Sequence, residues 1–222
     1  MLKHNMLRRD DAGFTLVELM VAIVILGIIA VPLGNVIIGY LRNTDATTAR
    51  LGESHDAQIS AAYFSADVAS VGVRSTTYSS DPSKPYPFTQ SIEENAPATS
   101  GLFPCGSAAT PSAVIRFGWD DYTDAAASAP TRMRVAYVAD ADAAGQLQLH
   151  RLVCAGSAAV VTDTVIAHDL VSVSAACTPA PCAAGSAAAP PLAVKLSLTI
   201  HDPANAGAPN YTVNLTGQRR QS

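Results

Sequence analysis

The alternation of apolar and polar positions divides the chain into three kinds of stretch. The first, Gly13 to Leu41, reads GFTLVELMVAIVILGIIAVPLGNVIIGYL and carries a single ionisable side chain before Tyr40, the carboxylate of Glu18. A run of about 20 apolar residues suffices to cross a bilayer as a helix, because only intrahelical bonds satisfy the backbone in hydrocarbon. Residues 14–41 are therefore competent to span a membrane. A carboxylate in such a span costs roughly 2.5 to 3.5 kcal/mol at mid-bilayer and less near its end. Glu18 thus calls for a partner. One candidate is local, since Thr15 and Glu18 fit the S/T-x-x-E capping box; the other is a cation on a neighbouring helix. Pro32 removes an intrahelical bond and clashes with the carbonyl four residues back, so a helix break is expected at Pro32 and Gly34.

The second stretch, residues 42–73, begins where Arg42, Asn43 and Asp45 mark the exit into water. Ala57, Ala61, Phe64, Val68 and Val71 recur at spacings of four and three, with Asp56, Gln58 and Asp67 off the stripe. This is an amphipathic helix with one narrow apolar face, which needs a sheet of the same protein to lie against. Residues 74–110 lose periodicity and gain Ser, Thr and Pro, so they read as a long loop region.

The third stretch, residues 111–222, alternates with period two. Ile115, Phe117 and Trp119 form one such set, Met133, Val135 and Tyr137 a second, Leu147 and Leu149 a third, and Val171 and Val173 a fourth. Val194, Leu196, Leu198 and Ile200, then Tyr211, Val213 and Leu215, complete it. Period two with one wet face predicts an antiparallel sheet whose other face is covered by the amphipathic helix. The fold class is α+β: a long kinked N-terminal helix packed on a C-terminal antiparallel sheet.

Composition adds little to this pattern and subtracts several functions. The 222 residues are 49% apolar with net charge -4, which favours no nucleic-acid surface. Arg116, Arg132 and Arg134 are the one set that could make a local basic patch if they shared an exposed face, and phosphate affinity there would show as steep salt dependence. No G-x-S-x-G, H-E-x-x-H or phosphate-binding glycine loop occurs, and the histidines are scattered, so neither an enzyme nor a cofactor is indicated. Asp140, Asp142 and Gly145 faintly resemble a calcium loop but lack its terminal Glu, and turn chemistry is the preferred reading. Arg219 and Arg220 read as a solvated tail. Cys105, Cys154, Cys177 and Cys182 all follow the apolar run, and four thiols allow three connectivities. The favoured pairs are Cys177 with Cys182, closing a Pro-rich loop between strands, and Cys105 with Cys154, tacking the long loop to the sheet.

Lys3, Arg8 and Arg9 precede the span, which by the positive-inside tendency keeps residues 1–13 in the cytoplasm and sends the remainder across. A secretory signal would be cut after its apolar run, whereas here the candidate processing residues stand before it. The basic leader, Gly13, Phe14 and Glu18, set within GFTLVELMVAIVILGIIA, resemble the type IV prepilin signature. That resemblance implies a leader of residues 1–13 cut by a prepilin peptidase between Gly13 and Phe14, methylation of the new Phe14 amine, and assembly through pairing of Glu18 with a neighbour's Phe14 ammonium. Loss of the leader removes one net positive charge and leaves the chain near -5 from -4. The stretch AAYFSADVASVGV is similar to the helix end of larger minor pilins, which would make Gly72 a helix C-cap.

The function implied is that of a structural subunit, a minor pilin or a J-type minor pseudopilin, in a type IV pilus-like or type II secretion filament. It would act in initiation or near the tip. Its partners would be the peptidase, other pilin or pseudopilin subunits, the membrane platform of the assembly machine and the lipid bilayer. Its place would be the cytoplasmic membrane as a single-pass protein, then a periplasmic or cell-surface filament. The alternative is a pilin-borne binding module, an adhesin or a DNA-uptake subunit.

Overall fold

The computed structural model describes residues 15–124, 129–182, 190–201 and 209–220. The chain forms two compact units, Met1–Thr47 and Thr48–Ser222. Helix α1, Leu16–Ser70, runs through the first unit from Leu16 and is the only helix of the second among the described residues.

Within the second unit, β3 (Ile92–Ala96), β4 (Ala113–Asp121), β5 (Thr131–Ala141), β6 (Leu147–Ala155), β7 (Val160–Thr178), β8 (Ala193–Ile200) and β9 (Tyr211–Gln218) form a seven-stranded sheet. Every neighbouring pair is antiparallel and the spatial order is the sequence order. Two further short strands, β1 (Val73–Arg74) and β2 (Phe88–Thr89), pair with each other. The architecture is α+β, with the helix packed on the sheet. Phe64 and Val68 of α1, and Val71 just after its end, are buried against Phe117, Tyr137, Leu149 and Leu196. The Phe64 ring meets Tyr137 edge-on at 5.4 Å between centroids and Phe117 at 5.9 Å, geometries that the aromatic quadrupole favours.

Four expectations are corrected in detail. The buried stripe of α1 runs through Ser60, Phe64, Asp67 and Val68 and continues to Val71 just past its end, while Ala61 is exposed. The face was displaced because Ser60 and Asp67 are bonded to the sheet: the Ser60 hydroxyl donates to the Ile166 carbonyl at 2.6 Å. Gly72 is not a left-handed cap. Its N–H donates to the Gly118 carbonyl at 3.2 Å and it bridges to Trp119, so the chain passes directly from helix into sheet. Its φ of +151° and the Phe88 ring, 2.7 Å from where a Cβ would stand, both require glycine.

The region read as loop, residues 74–110, contains most of the short strand pair and all of β3. It covers the sheet face that was expected to be wet. Arg116 lies on that face and is 0% exposed. Its guanidinium bonds Glu93, directly opposite on β3, at 2.6 Å, and the carbonyls of Pro97 and Ser100 at 2.9 and 2.7 Å. The Glu93 carboxylate in turn accepts the amides of Leu102 and Phe103 at 2.7 and 2.9 Å. A second apolar cluster under this loop joins Ala136, Val138 and Leu152 to Cys105 and Cys154. Cys105 is bonded to Cys154 and Cys177 to Cys182.

Strand β7 is far longer than the Val171 to Ser174 alternation suggested. Asp169 sits at φ 54° and the register shifts between Leu147 and Leu149. A further shift between Leu149 and His150, which face Ala167 and Val165, leaves Ile166 as the extra residue and turns consecutive residues Ile166 and Ala167 both inward, which erases the period of two.

Candidate functional site

Leu16 to Thr44, 29 residues of α1, is long and apolar enough to cross a membrane. Leu16, Leu26, Ile28 and Val31 are each about two-thirds or more exposed, and the side chains around the whole circumference are open. Such a surface is stable only in lipid or against other helices. The helix is continuous through Pro32 and Gly34. One missing N–H and one strained carbonyl do not end a helix whose remaining backbone bonds are made. At Gly27, Gly34 and Gly39 an added Cβ would meet nothing within 4 Å, so nothing in the single chain calls for glycine there. In membranes, small residues at such positions let a second helix approach closely.

The helix starts at a complete capping box. The Thr15 N–H and hydroxyl both donate to Glu18 Oε2 at 2.9 Å, and the Glu18 N–H donates to the Thr15 hydroxyl at 3.2 Å. All of this falls on one carboxylate oxygen. Oε1 has no bond among the described residues. Gly13 and Phe14, the expected processing and methylation pair, lie outside the described residues.

The other candidates sort differently. Arg116, Arg132 and Arg134 do share one sheet face, as their register with Ala136, Asp120 and Gly118 requires. They do not make a phosphate surface. Arg116 is buried on Glu93, Arg132 is paired with Asp120, and Arg134 donates to the Ser157 carbonyl at 2.8 Å. Burial, then the nearby Arg132 and Arg116, push the Arg134 guanidinium below its ordinary pKa. Asp142 Oδ1 accepts the amides of Ala144 and Gln146 at 2.8 Å each, which is turn chemistry. His150 pairs with Asp163 at 2.8 Å and His168 with Asp56 at 2.7 Å, the latter tying α1 to β7.

Two arrangements were not legible in the sequence. Asp67 accepts from Tyr137 Oη at 2.6 Å and from Arg151 at 2.7 and 2.6 Å, three bonds shared between both of its oxygens. Burial first, and then the Asp67 charge, raise the Tyr137 pKa well above its usual value. The only hint was an acidic residue one position before a stripe residue. Arg219 and Arg220 are not a free tail either. The Arg219 guanidinium lies over the Phe88 ring at 5.0 Å, and the Arg220 N–H donates to the Ala69 carbonyl at 3.3 Å.

Residues 8–34 match the family model described as the prokaryotic N-terminal methylation motif. Comparison of the chain with curated proteins and with solved structures gave no match. The matched segment contains Gly13, Phe14, Glu18, Pro32 and Gly34.

Proposed function

We propose that the chain, whose residues 8–34 match the prokaryotic N-terminal methylation motif, is a type IV pilin-like prepilin and a low-abundance structural subunit of a type IV pilus-like or type II secretion filament, acting in initiation or near the tip. The observation that carries the reading is Glu18. It is the one carboxylate of the apolar span Leu16–Thr44, and its Oε1 has no partner among the described residues. A prepilin peptidase cuts after Gly13 and the Phe14 amine is methylated. Each Phe14 ammonium then pairs with the Glu18 carboxylate of a neighbour. Opposite charges in lipid are tolerable only when matched, so the pairing selects one axial offset between helices. Bringing helices together in lipid yields no hydrophobic gain, and the open glycine surfaces supply the packing contacts instead. Pro32 and Gly34 are where the helix loosens during assembly.

The precursor is a single-pass membrane protein whose disulfide-bonded unit lies outside the cytoplasm. The large loop-rich unit favours a minor pilin or J-type minor pseudopilin over a major subunit, which tends to be compact. Its role is structural and not enzymatic.

The test is expression of the full chain with and without a prepilin peptidase, followed by intact mass and N-terminal sequencing of the membrane fraction. A terminus at methylated Phe14 only when the peptidase is present supports the reading. An uncut chain, or a cut beyond Ala30, overturns it.

A further inference from the structure

The seven-stranded sheet has two edges, β3 and β9. An edge strand presents unpaired N–H and C=O groups to any extended chain, and proteins guard against this with short strands, charges and backbone irregularities. Edge β3 carries such guards. It is five residues long, bears Glu93 and Glu94, and turns at Asn95, whose φ is 49°. The Gln90 carboxamide also donates to the Ile92 carbonyl at 2.6 Å. Edge β9 carries none of them. It runs for eight residues, YTVNLTGQ, without a charge or a proline, and its register with β8 is unshifted from end to end. From Thr212 to Gln218 no backbone hydrogen bond reaches its far side among the described residues.

The surface beside this edge is locally basic in an acidic chain. The only acidic side chain of residues 170–222 is that of Asp202, against Lys195, Arg219 and Arg220. Lys195 stands on the outer face of β8 between Ala176 of β7 and Thr216 of β9. It is exposed and has no carboxylate partner among the described residues. Around it opens a cleft of about 490 Å³ that reaches β9 and is lined by Ala176, Thr178, Ala193, Thr216 and Gln218. These neutral side chains leave the lysine as its one charge. Strands lie about 4.8 Å apart, so a strand added to β9 would place the residue opposite Thr216 roughly 10 Å from Lys195. An extended lysine and a glutamate span that distance together. On the other face Val213 is half-buried and Leu215 buried against the core, so an incoming apolar residue would continue the covered face.

We propose that the free edge of β9 and the Lys195 cleft form a docking site for an acidic extended segment of another protein, which joins the seven-stranded sheet as a further strand. Main-chain hydrogen bonds along β9 supply the affinity, and the carboxylate at Lys195 supplies the choice of partner. The contact adds a different chain to each copy, as suits a subunit present in few copies. The site lies wholly in the unit Thr48–Ser222 and is independent of the fate of the N-terminal helix.

The full-length chain in detergent would be titrated with the fluorescently labelled peptide TVEVTVEVT, followed by anisotropy and by hydrogen exchange of the β9 amides. Two control peptides carry Gln at both Glu positions, or Pro at the central Thr and the Val after it. The expected result is saturable binding of the Glu peptide that slows exchange in β9, and no binding of the Pro peptide. Lys195→Gln and the Gln peptide should each weaken binding about threefold, with no further loss when the two are combined. Lys195→Gln should keep the wild-type urea midpoint, since Lys195 is exposed; if it does not, the three peptides on the wild-type chain decide alone. Failure of the Glu peptide to bind, equal binding of the Gln or the Pro peptide, or protection confined to other strands overturns the proposal. So does slowed β9 exchange that grows with protein concentration alone, which would make a second copy the occupant, or equal protection by a single-stranded oligonucleotide.

Discussion

Two of the carboxylates on helix α1 have opposite fates, Glu18 in the apolar unit and Asp67 in the folded one. Among the described residues Glu18 bonds only its own helix start, through Thr15 and one oxygen. Asp67 bonds only the sheet, through Tyr137 and Arg151 and both oxygens. A side chain whose partners are sequence-local is satisfied before any tertiary structure exists and keeps capacity to spare. One whose partners lie on distant strands is consumed by folding. The first therefore keeps capacity for a partner outside the folded unit, as the proposed assembly role needs, and the second holds the helix to the sheet. Arg116 and Glu93 repeat the second pattern on the other sheet face.

The sharpest test of the contrast is Asp67→Ala. It leaves the Arg151 charge and the Tyr137 hydroxyl under the helix without their acceptor, and should cost about 3 to 5 kcal/mol of stability. The check is the urea midpoint of the detergent-solubilised chain, read by Trp119. Cleavage at Gly13 should be unchanged, and a cleavage defect would break the separation of the two regions.

Removing the Cys105–Cys154 bond with paired Ser substitutions should cost about 4 kcal/mol by loop-closure entropy over a separation of 49 residues. The same denaturation experiment measures it, and the N-terminal unit should again be indifferent.

Glu18→Gln tests the other half. Glutamine keeps the capping box, since either Glu or Gln serves at that position, but it removes the charge. Matching a charge otherwise worth roughly 2.5 to 3.5 kcal/mol in lipid implies on the order of a hundredfold less subunit in sheared filament fractions. The urea midpoint should not move. Wild-type assembly by this variant would reduce Glu18 to a cap.

The smallest effect is the alkaline limb of stability. Tyr137 has a folded pKa raised above its unfolded value near 10.0. Its contribution is fully present below pH 10 and is lost as pH rises from there toward the folded value. Tyr137→Phe should flatten that limb in a pH series of unfolding midpoints, at about 1 kcal/mol for the lost bond to Asp67 at neutral pH.

Much of the molecule was legible before folding was considered. The span of residues 14–41, the capping box and the odd carboxylate are properties of consecutive residues, and so are the alternating strands β4, β5, β6, β8 and β9. The motif match at residues 8–34 reads the same local text. Period-based reading failed where a bulge at Ile166 turned it and Ala167 to the same side. It failed again where a loop covered a second sheet face and buried Arg116. It also placed Asp67 off the stripe, because hydrophobicity gives no credit to a charge whose partner is 84 residues away.

The amino-acid sequence by itself determined the membrane-competent helix, its cap and its candidate processing site, since each needs only neighbours along the chain. Only the tertiary structure decided which charges are spent and which remain. Pairing a carboxylate with an arginine depends on register across strands, and register is set by the packing of the whole sheet.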